Sequence, residues 1–393
     1  MVAGAPELRT VTCGTSTIII GRGAAAVLPG WLRGRLPASR LILVTDANVG
    51  SLHAAAIGAS LRAAGFEVLD FQCPAGEVAK TRETKARIED AMVAWRIGRD
   101  DALLALGGGV VSDLAGFVAA TWMRGIPWCA IPTTLLGMVD ASVGGKTGVD
   151  HPSGKNMIGA FHPPLGIFAD TGMLDTLPDR ELRQGLAECV KAGVVGDAPL
   201  FALLSTHSAA IGGRDPELLI DIITRACSVK AAIVAGDERE SDRRKILNFG
   251  HTVGHAIEMA SGWAMAHGDA VSIGMVIESR LASSAGLLDR EVETEIARTL
   301  SALGLPVSWP ETRGGISPED LLAAARHDKK NRGGRLVFAL PAAIGTMARG
   351  VDGYGIAFDE DVVLEAIAPF FPARSGRGAP GAAERPGGDR AEG

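Results

Sequence analysis

The segment Asp101-Ala102-Leu103-Leu104-Ala105-Leu106-Gly107-Gly108-Gly109-Val110-Val111-Ser112-Asp113 decides the fold. A short apolar run ends in three glycines and is followed by apolar residues at helical spacing, which predicts a strand, a tight turn and a helix. Backbone N–H groups at the start of such a helix can bind a phosphate. Because the spacing is not Gly-x-Gly-x-x-Gly, these glycines taken alone fit a packing turn as well as a nucleotide site.

The same alternation of strand and helix continues on both sides of this segment. Apolar runs predict strands at 40–46 and 67–71, and amphipathic spacing predicts helices at 52–64 and 81–95. Helices between strands are typical of a mostly parallel sheet, so the N-terminal part is predicted to be an α/β Rossmann-like domain. Asp46 and Asn48 follow the first of these strands, where a carboxylate can bind a ribose hydroxyl, and with the glycine turn they favour a dinucleotide.

The pattern changes after about residue 175, where the apolar spacing becomes helical. The chain is therefore predicted to contain an α/β dinucleotide-binding domain (1–175), an all-α domain (176–372) and a disordered tail (373–393) rich in Gly, Ala, Pro, Arg and Glu. The predicted helices of the second domain are 180–192, 216–234, 245–260, 270–285 and 318–325.

Composition limits the class of protein. With 393 residues, 47% hydrophobic and 21% charged, the chain is typical of a soluble globular protein. The net charge of −6 gives no reason to expect a nucleic-acid partner. The five cysteines are scattered without a Cys-x-x-Cys pair, the N-terminus lacks a signal-peptide core, and no run approaches a membrane span, so we expect a cytoplasmic protein without a membrane partner.

The stretch 132–156 combines hydroxyl groups, glycines and two lysines. Lys146 and Lys155 lie beside glycine-rich segments, where compact positive charges suit phosphate or carboxylate groups. Either lysine alone would be interpreted as a solvated loop residue. The segment contains few other charges, which favours a binding site.

Glu188 and Lys191 are three residues apart on a predicted helix and share a face. Such pairs are usually surface salt bridges of little energetic consequence. Their neighbours are apolar, so we expect this pair to point into a cleft.

Three histidines lie within a short part of the second domain. His251 and His255 are spaced i, i+4 and share a helical face, and His267 follows. The motif is not His-Glu-x-x-His, so a zincin protease is not indicated. A lone histidine on such a face would be a hydrogen-bonded structural residue, but three of them with an upstream Glu predict a metal site of the catalytic zinc type.

These residues together resemble the dehydroquinate synthase family of sugar phosphate cyclases. The resemblance extends from about residue 46 to 345. It rests on ordered blocks that include Gly107-Gly108-Gly109, Pro132-Thr133-Thr134-Leu135-Leu136, Val143-Gly144-Gly145-Lys146-Thr147-Gly148, Gly154-Lys155-Asn156-Met157, Ala187-Glu188, Asn248-Phe249-Gly250-His251-Thr252, His267-Gly268 and Asp328-Lys329-Lys330.

The resemblance implies an enzyme that converts 3-deoxy-D-arabino-heptulosonate 7-phosphate, a phosphorylated sugar acid, into 3-dehydroquinate and phosphate in the shikimate pathway. It implies NAD that is reduced and reoxidised within one turnover, a divalent metal, usually zinc with cobalt as an alternative, and a homodimer. It also implies that Glu188, His251 and His267 hold the metal while His255 lies beside the substrate. This differs from a metal bound by the i, i+4 pair of His251 and His255.

The other roles are carried over by position. The substrate phosphate is expected to meet Lys146, Asn156, Asn248, one of Lys329 and Lys330, and Arg124 from a dimer partner. The carboxylate and ring hydroxyls are expected to meet Lys191, Lys230 and Arg244, with Asp140 and Lys155 near the nicotinamide. NAD is expected to contact Asp46, Asn48, Glu77, Lys80, Gly108, Gly109, Val110, Asp113, Thr133 and Thr134.

Alternative functions share this scaffold. Amino-dehydroquinate synthases, sedoheptulose 7-phosphate cyclases and 2-deoxy-scyllo-inosose synthases differ in substrate, and the intact 146–149 and 154–157 blocks favour the dehydroquinate branch over the last two. Many members carry tyrosine after the lysine where this chain has Lys191-Ala192. A metal-dependent polyol dehydrogenase would release NADH and would not need the cation set. A non-catalytic metal-binding protein is the third class.

Overall fold

The computed structural model describes residues 7–37, 40–152, 154–237, 242–310, 315–326, 335–351 and 353–371. The predicted tail at 373–393 lies outside the described residues, as do Lys329 and Lys330.

The N-terminal part is built on a sheet. Its strands are β1 (Arg9–Cys13), β2 (Ser16–Gly21), β3 (Arg40–Asp46), β4 (Glu67–Cys73), β5 (Ala102–Gly107), β6 (Trp128–Pro132), β7 (Lys146–His151), β8 (Gly154–Phe161) and β9 (Gly166–Asp170). Seven of these described strands form one sheet in the order β1-β2-β9-β6-β5-β3-β4, with β1 and β2 antiparallel and the rest parallel. The other two, β7 and β8, form a separate antiparallel hairpin.

Helices cover both faces of the sheet. Those of the N-terminal part are α1 (Leu28–Arg33), α2 (Ala47–Val49), α3 (Ala55–Ala63), α4 (Arg82–Ala94) and α5 (Gly109–Thr121). Every residue of β5 is buried, as expected for a strand covered on both sides. Two caps fix helix starts: Asp46 accepts hydrogen bonds from the N–H groups of Asn48 and Val49, and Thr81 accepts one from Thr84. The predicted α/β fold is confirmed.

The C-terminal part is mainly helical. Its helices are α6 (Asp179–Gly196), α7 (Ala198–Thr206), α8 (Ser208–Gly212), α9 (Pro216–Gly236), α10 (His251–Ala260), α11 (His267–Ser284), α12 (Arg290–Ala302), α13 (Pro318–Ala325) and α14 (Glu360–Ile367). Two short antiparallel pairs, which the helical spacing did not predict, join β10 (Leu336–Phe338) to β13 (Ile356–Phe358) and β11 (Pro341–Ala343) to β12 (Thr346–Met347). The domain boundary at 175/176 stays a prediction.

The prediction of one helix over 245–260 is wrong. Residues Arg243–Asn248 form a 3-10 segment, and α10 begins only at His251. The break occurs at Gly250, which has a φ of 78° and therefore a left-handed backbone conformation. Glycine adopts this conformation without steric cost because it has no Cβ. His251 therefore lies in the first turn of a helix rather than in its middle.

The hydrophobic core is continuous across the two parts. One cluster joins the sheet and α5 to α6 and α9, with Leu114, Leu135, Leu186 and Ile222 all 0–2% exposed. This packing holds the carboxyl edge of the sheet against the helical part. Among the residues that the structure describes, no helix combines the length and apolar character needed to cross a bilayer.

Candidate nucleotide and metal cleft

A cleft of about 1760 Å³ lies between the carboxyl edge of the sheet and the helices α6, α9, α10 and α11. Most site residues predicted from the sequence line it. These are Asp46, Asn48, Glu77, Lys80, Gly108, Gly109, Val110, Asp113, Thr133, Thr134, Asp140, Lys146, Lys155, Asn156, Lys191, Lys230, Arg244, Asn248, His251, His255 and His267. The fold thus brings together residues that are about 200 positions apart in the sequence.

One end of the cleft has the features of a nucleotide site. Gly108 is the N-cap of α5 and offers no side chain to the first N–H groups of the helix, which are thus suited to an anion. A Cβ on Gly109 would lie 2.9 Å from the Cβ of Ala141, so the turn is also tightly packed. The two interpretations of the glycines are therefore compatible.

A buried lysine connects this end of the cleft to the β7–β8 hairpin. Lys80 is 4% exposed, and its Nζ donates hydrogen bonds to Asp113 Oδ2 (2.7 Å) and to the side chain of Asn156. Asn156 has a left-handed φ of 55°, and its N–H bonds to Asp150. Two residues predicted for NAD and one predicted for phosphate thus form a single network.

Glu188, His251 and His267 form a group with the geometry of a metal site. Their ligand atoms lie within 4.8 Å of one another. Glu188 Oε1 is 3.5 Å from His251 Nε2 and 3.6 Å from His267 Nε2. Both distances are long for hydrogen bonds, whereas two ligands that each lie about 2.1 Å from a tetrahedral zinc are about 3.4 Å apart.

The environment of Glu188 also fits a cation. The residue is 2% exposed, and Lys191, which lines the cleft, forms an ion pair with Oε2. Within the described part of the chain, neither carboxylate oxygen accepts a well-directed hydrogen bond. A buried carboxylate with unused acceptor capacity between two imidazoles is a donor set suited to Zn²⁺.

The two histidines differ in their electrostatics. Burial, reinforced by the charge of Lys191, lowers the pKa of His251 well below its usual value, so this ring is neutral and can act as a ligand. Burial also opposes a charge on His267, but the carboxylates of Glu188 and Glu258, which face its two ring nitrogens, outweigh it and raise the pKa of His267 to about 10. The facing carboxylates therefore favour positive charge at this point.

Cations and one carboxylate line the adjoining wall. Lys230 Nζ donates to both Asp140 Oδ1 and the Asp140 carbonyl (2.6 Å each), and Lys191 Nζ lies 3.8 Å from the same carboxylate. Burial alone would raise the pKa of Asp140, but the two lysines lower it strongly, so it stays ionised. Arg244 is 2% exposed. This wall is suited to an acidic ligand.

Some predicted residues lie elsewhere. Glu188 does not line the open cleft because it is buried behind His251 and His267. Arg124 does not line the cleft. It lies in a short turn after α5, where both Met123 and Arg124 have positive φ. Lys329 and Lys330 lie outside the described residues.

The sequence reasoning missed Glu258. It is 2% exposed, contacts His267, and belongs with His255 and His267 to a second group of possible ligands. Its spacing from His251 and His255 (i+7 and i+3) places all three on one face of α10, and this signal could have found it.

Solved structures define the class of protein. The chain is similar to a 2-deoxy-scyllo-inosose synthase complexed with carbaglucose-6-phosphate, NAD+ and Co²⁺ (TM-score 0.83, 24% identity, covering 93% of this chain and 100% of that one). It is also similar to the 2-epi-5-epi-valiolone synthase ValA from Streptomyces hygroscopicus subsp. jinggangensis 5008 with NAD+ and Zn²⁺ (TM-score 0.79, 33% identity, 92% and 97%). The fold is that of the sugar phosphate cyclases.

Sequence relatives specify the family. The model of the 3-dehydroquinate synthase N-terminal region matches residues 70–184, and that of the C-terminal region matches residues 185–331. A 3-dehydroquinate synthase from Desulforamulus reducens is 47% identical over 307 residues, which are 78% of this chain and 85% of the relative. The chain belongs to the 3-dehydroquinate synthase family.

Proposed function

We propose that this chain is a 3-dehydroquinate synthase, which converts 3-deoxy-D-arabino-heptulosonate 7-phosphate into 3-dehydroquinate and phosphate and depends on NAD and a divalent metal, preferably zinc. The observation that carries the proposal is the single cleft in which the glycine turn, the Glu188–His251–His267 group and the buried cations face one another. The 47% identity to a relative of that name supports the same activity.

The NAD end of the cleft supports dinucleotide binding. The start of α5 at Gly108–Gly109 would hold the pyrophosphate, and Asp46 at the end of β3 would bind ribose hydroxyls. Thr133 and Thr134 follow β6 at the same edge. When bound, NAD+ would supply a hydride acceptor and the metal would acidify a coordinated hydroxyl.

The chain's own residues would position the substrate. Lys191 and Arg244 are buried and the Lys230 side chain is 12% exposed, and these three cations can hold the carboxylate and ring hydroxyls, while Asp140 keeps Lys230 in place. Lys146, Asn156 and Asn248 would hold the phosphate. His255 is exposed and lines the cleft with its ring centroid 5.3 Å from that of His251, where it would bind a substrate hydroxyl. Fixed charge and orientation, rather than many side-chain bases, would then drive the reaction.

We further propose a homodimer in which Arg124 reaches the partner's cleft. The support is its position outside the cleft of its own chain, on a turn where Met123 is 44% exposed. A cytoplasmic location likewise stays a prediction.

The deciding experiment measures phosphate release from 3-deoxy-D-arabino-heptulosonate 7-phosphate with catalytic NAD, identifies the product by NMR, and repeats both measurements after chelation. We expect release with formation of 3-dehydroquinate, loss of activity on chelation and recovery with Zn²⁺. His267→Ala should abolish turnover while retaining the fold, because one of three ligands is gone.

Two results would contradict the proposal. Accumulation of NADH with a polyol, without phosphate release, would favour the dehydrogenase alternative. Turnover of the amino analogue, of sedoheptulose 7-phosphate or of glucose 6-phosphate in preference to the heptulosonate would identify another cyclase.

A further inference from the structure

Glu258 is a buried carboxylate at the junction of three elements. It lies on α10, and its Oε2 is 3.2 Å from Nδ1 of His267 on α11. Its Oε1 accepts a hydrogen bond from Nζ of Lys155 (3.2 Å), which is on β8 of the opposite wall. Each oxygen therefore contacts a residue of the cleft.

The contact with His267 determines which ring nitrogen faces Glu188. Glu258 Oε1 already accepts a hydrogen bond from the Lys155 ammonium group, and Oε2 lies 3.2 Å from Nδ1 of His267. A carboxylate paired with an ammonium group accepts hydrogen bonds, so Nδ1 is the donor in this contact. In the neutral ring Nε2 then has the free lone pair, and Nε2 is the nitrogen 3.6 Å from Glu188 Oε1.

The contact with Lys155 reaches across the cleft. The Lys155 side chain is 30% exposed, and its Nζ also lies 4.8 Å from the ring centroid of Trp263, just beyond α10. The ammonium group is thus held between a carboxylate and an aromatic face. The same carboxylate restrains a residue on each wall.

We propose that Glu258 is a positioning residue that orients His267 for metal binding and holds Lys155 beside the same site. The inference rests on the proposed metal site, and it assigns to Glu258 no contact with the metal. A carboxylate on the second nitrogen of a ligating histidine fixes the ring and increases its basicity as a ligand.

A competing arrangement is a metal held by His255, Glu258 and His267, whose ligand atoms also lie within 4.8 Å of one another. The contacts disfavour it. Glu258 already occupies the Nδ1 side of His267 and is paired with Lys155, whereas Glu188 has unused acceptor capacity on the Nε2 side.

The test compares Glu258→Ala and Glu258→Gln with the matched control Glu293→Gln. Glu293 lies on α12, its side chain is 15% exposed, and it pairs with Arg280 away from the cleft. Zn²⁺ affinity is measured by competition with a chromophoric chelator. We expect affinity to fall roughly 10- to 100-fold in Glu258→Ala, less in Glu258→Gln, which keeps one acceptor oxygen, and not at all in the control.

Two spectroscopic measurements separate positioning from loss of structure. Long-range ¹H–¹⁵N spectra of the zinc-loaded protein should show His267 protonated at Nδ1, with a mixed or altered state in Glu258→Gln. The d–d absorption of the Co²⁺-loaded protein should change in both Glu258 variants while thermal unfolding shows that Glu258→Gln is folded.

The inference is overturned if wild type binds zinc and both Glu258 variants bind it equally well with an unchanged Co²⁺ spectrum. It is also overturned if His255→Ala loses the metal while His251→Ala keeps it, since Glu258 would then be a ligand. Failure of wild type itself to bind Zn²⁺ would instead remove the proposed metal site on which the inference rests.

Discussion

A Cβ atom on Gly274 would lie 2.0 Å from the carbonyl oxygen of Gly250. The backbones of α10 and α11 therefore touch at this point, with no room for a side chain between them. His251 and His267 begin these two helices, so the close approach sets the separation of two proposed metal ligands.

Gly274→Ala should therefore destabilise the protein and weaken metal binding. Overpacking at such a contact typically costs about 1–3 kcal/mol. The measurements are urea unfolding and Zn²⁺ affinity. Gly30→Ala in α1 is the control, because nothing lies within 4 Å of its added Cβ and alanine favours a helix. Equal stability of the two variants would contradict the packing argument.

Glu278→Gln should loosen the start of α10. The carboxylate of Glu278 is 0% exposed and accepts hydrogen bonds from the N–H groups of Gly250 (2.6 Å) and Val253 (3.1 Å). The amide of glutamine has one acceptor oxygen and places its NH₂ donor against the other N–H group. The free energy of unfolding should therefore decrease by about 1–3 kcal/mol. Urea unfolding checks this value. The exposed Glu291→Gln is expected to change stability by less than about 0.5 kcal/mol.

The cysteines should be unreactive in the native protein. All five are buried, and burial raises the pKa of Cys73 to about 11 and that of Cys129 to about 12. Since the thiolate is the nucleophile, a disulfide reagent at pH 8 should react slowly with the folded chain and fully with the unfolded one. Rapid reaction of the native protein would show that these pKa values are not raised.

The same shifts predict that stability decreases in alkali. A thiol whose pKa is raised from 9.0 to about 12 on folding keeps its proton in the native state while the unfolded state loses it. The contribution of this thiol to the free energy of unfolding is complete below pH 9 and is lost as the pH rises toward 12. Urea unfolding at increasing pH should show a shallower decline for Cys129→Ala than for wild type.

Binding of the two ligands should be separable by mutation. Lys146→Ala should weaken binding of the sugar phosphate by roughly 10-fold or more, as expected for loss of a charged hydrogen bond, and change NAD affinity little. Asp46→Ser should do the reverse, since serine retains an N-cap acceptor but removes the carboxylate. Calorimetric titrations of each variant with the sugar phosphate and with NAD check both predictions. Equal losses for both ligands in either variant would contradict the assignment.

Arg124 offers a test of the proposed dimer. Arg124→Ala and Lys146→Ala should each be nearly inactive alone, but unfolding and refolding them together should restore part of the activity. In a mixed dimer one cleft would carry both changes and the other neither. Absence of recovery, with dimers seen by light scattering, would place Arg124 in its own cleft or outside the site.

Local sequence patterns predicted much of the fold. The predicted helices at 216–234 and 318–325 match α9 and α13 closely, because caps and apolar spacing act over a few residues. The predicted helix at 245–260 failed at Gly250. A glycine alone does not reveal a left-handed break that is held by Glu278, 28 residues further on.

The sequence by itself determined the α/β and helical organisation, the glycine turn, and the residue types of a nucleotide and metal cleft, because periodicity and side-chain chemistry are local properties. Only the tertiary structure decided that Glu188 lies between His251 and His267, and that Glu258 faces the other nitrogen of His267. These relations depend on how α6, α10 and α11 pack. Helix packing is set by long-range contacts that no short stretch of sequence specifies.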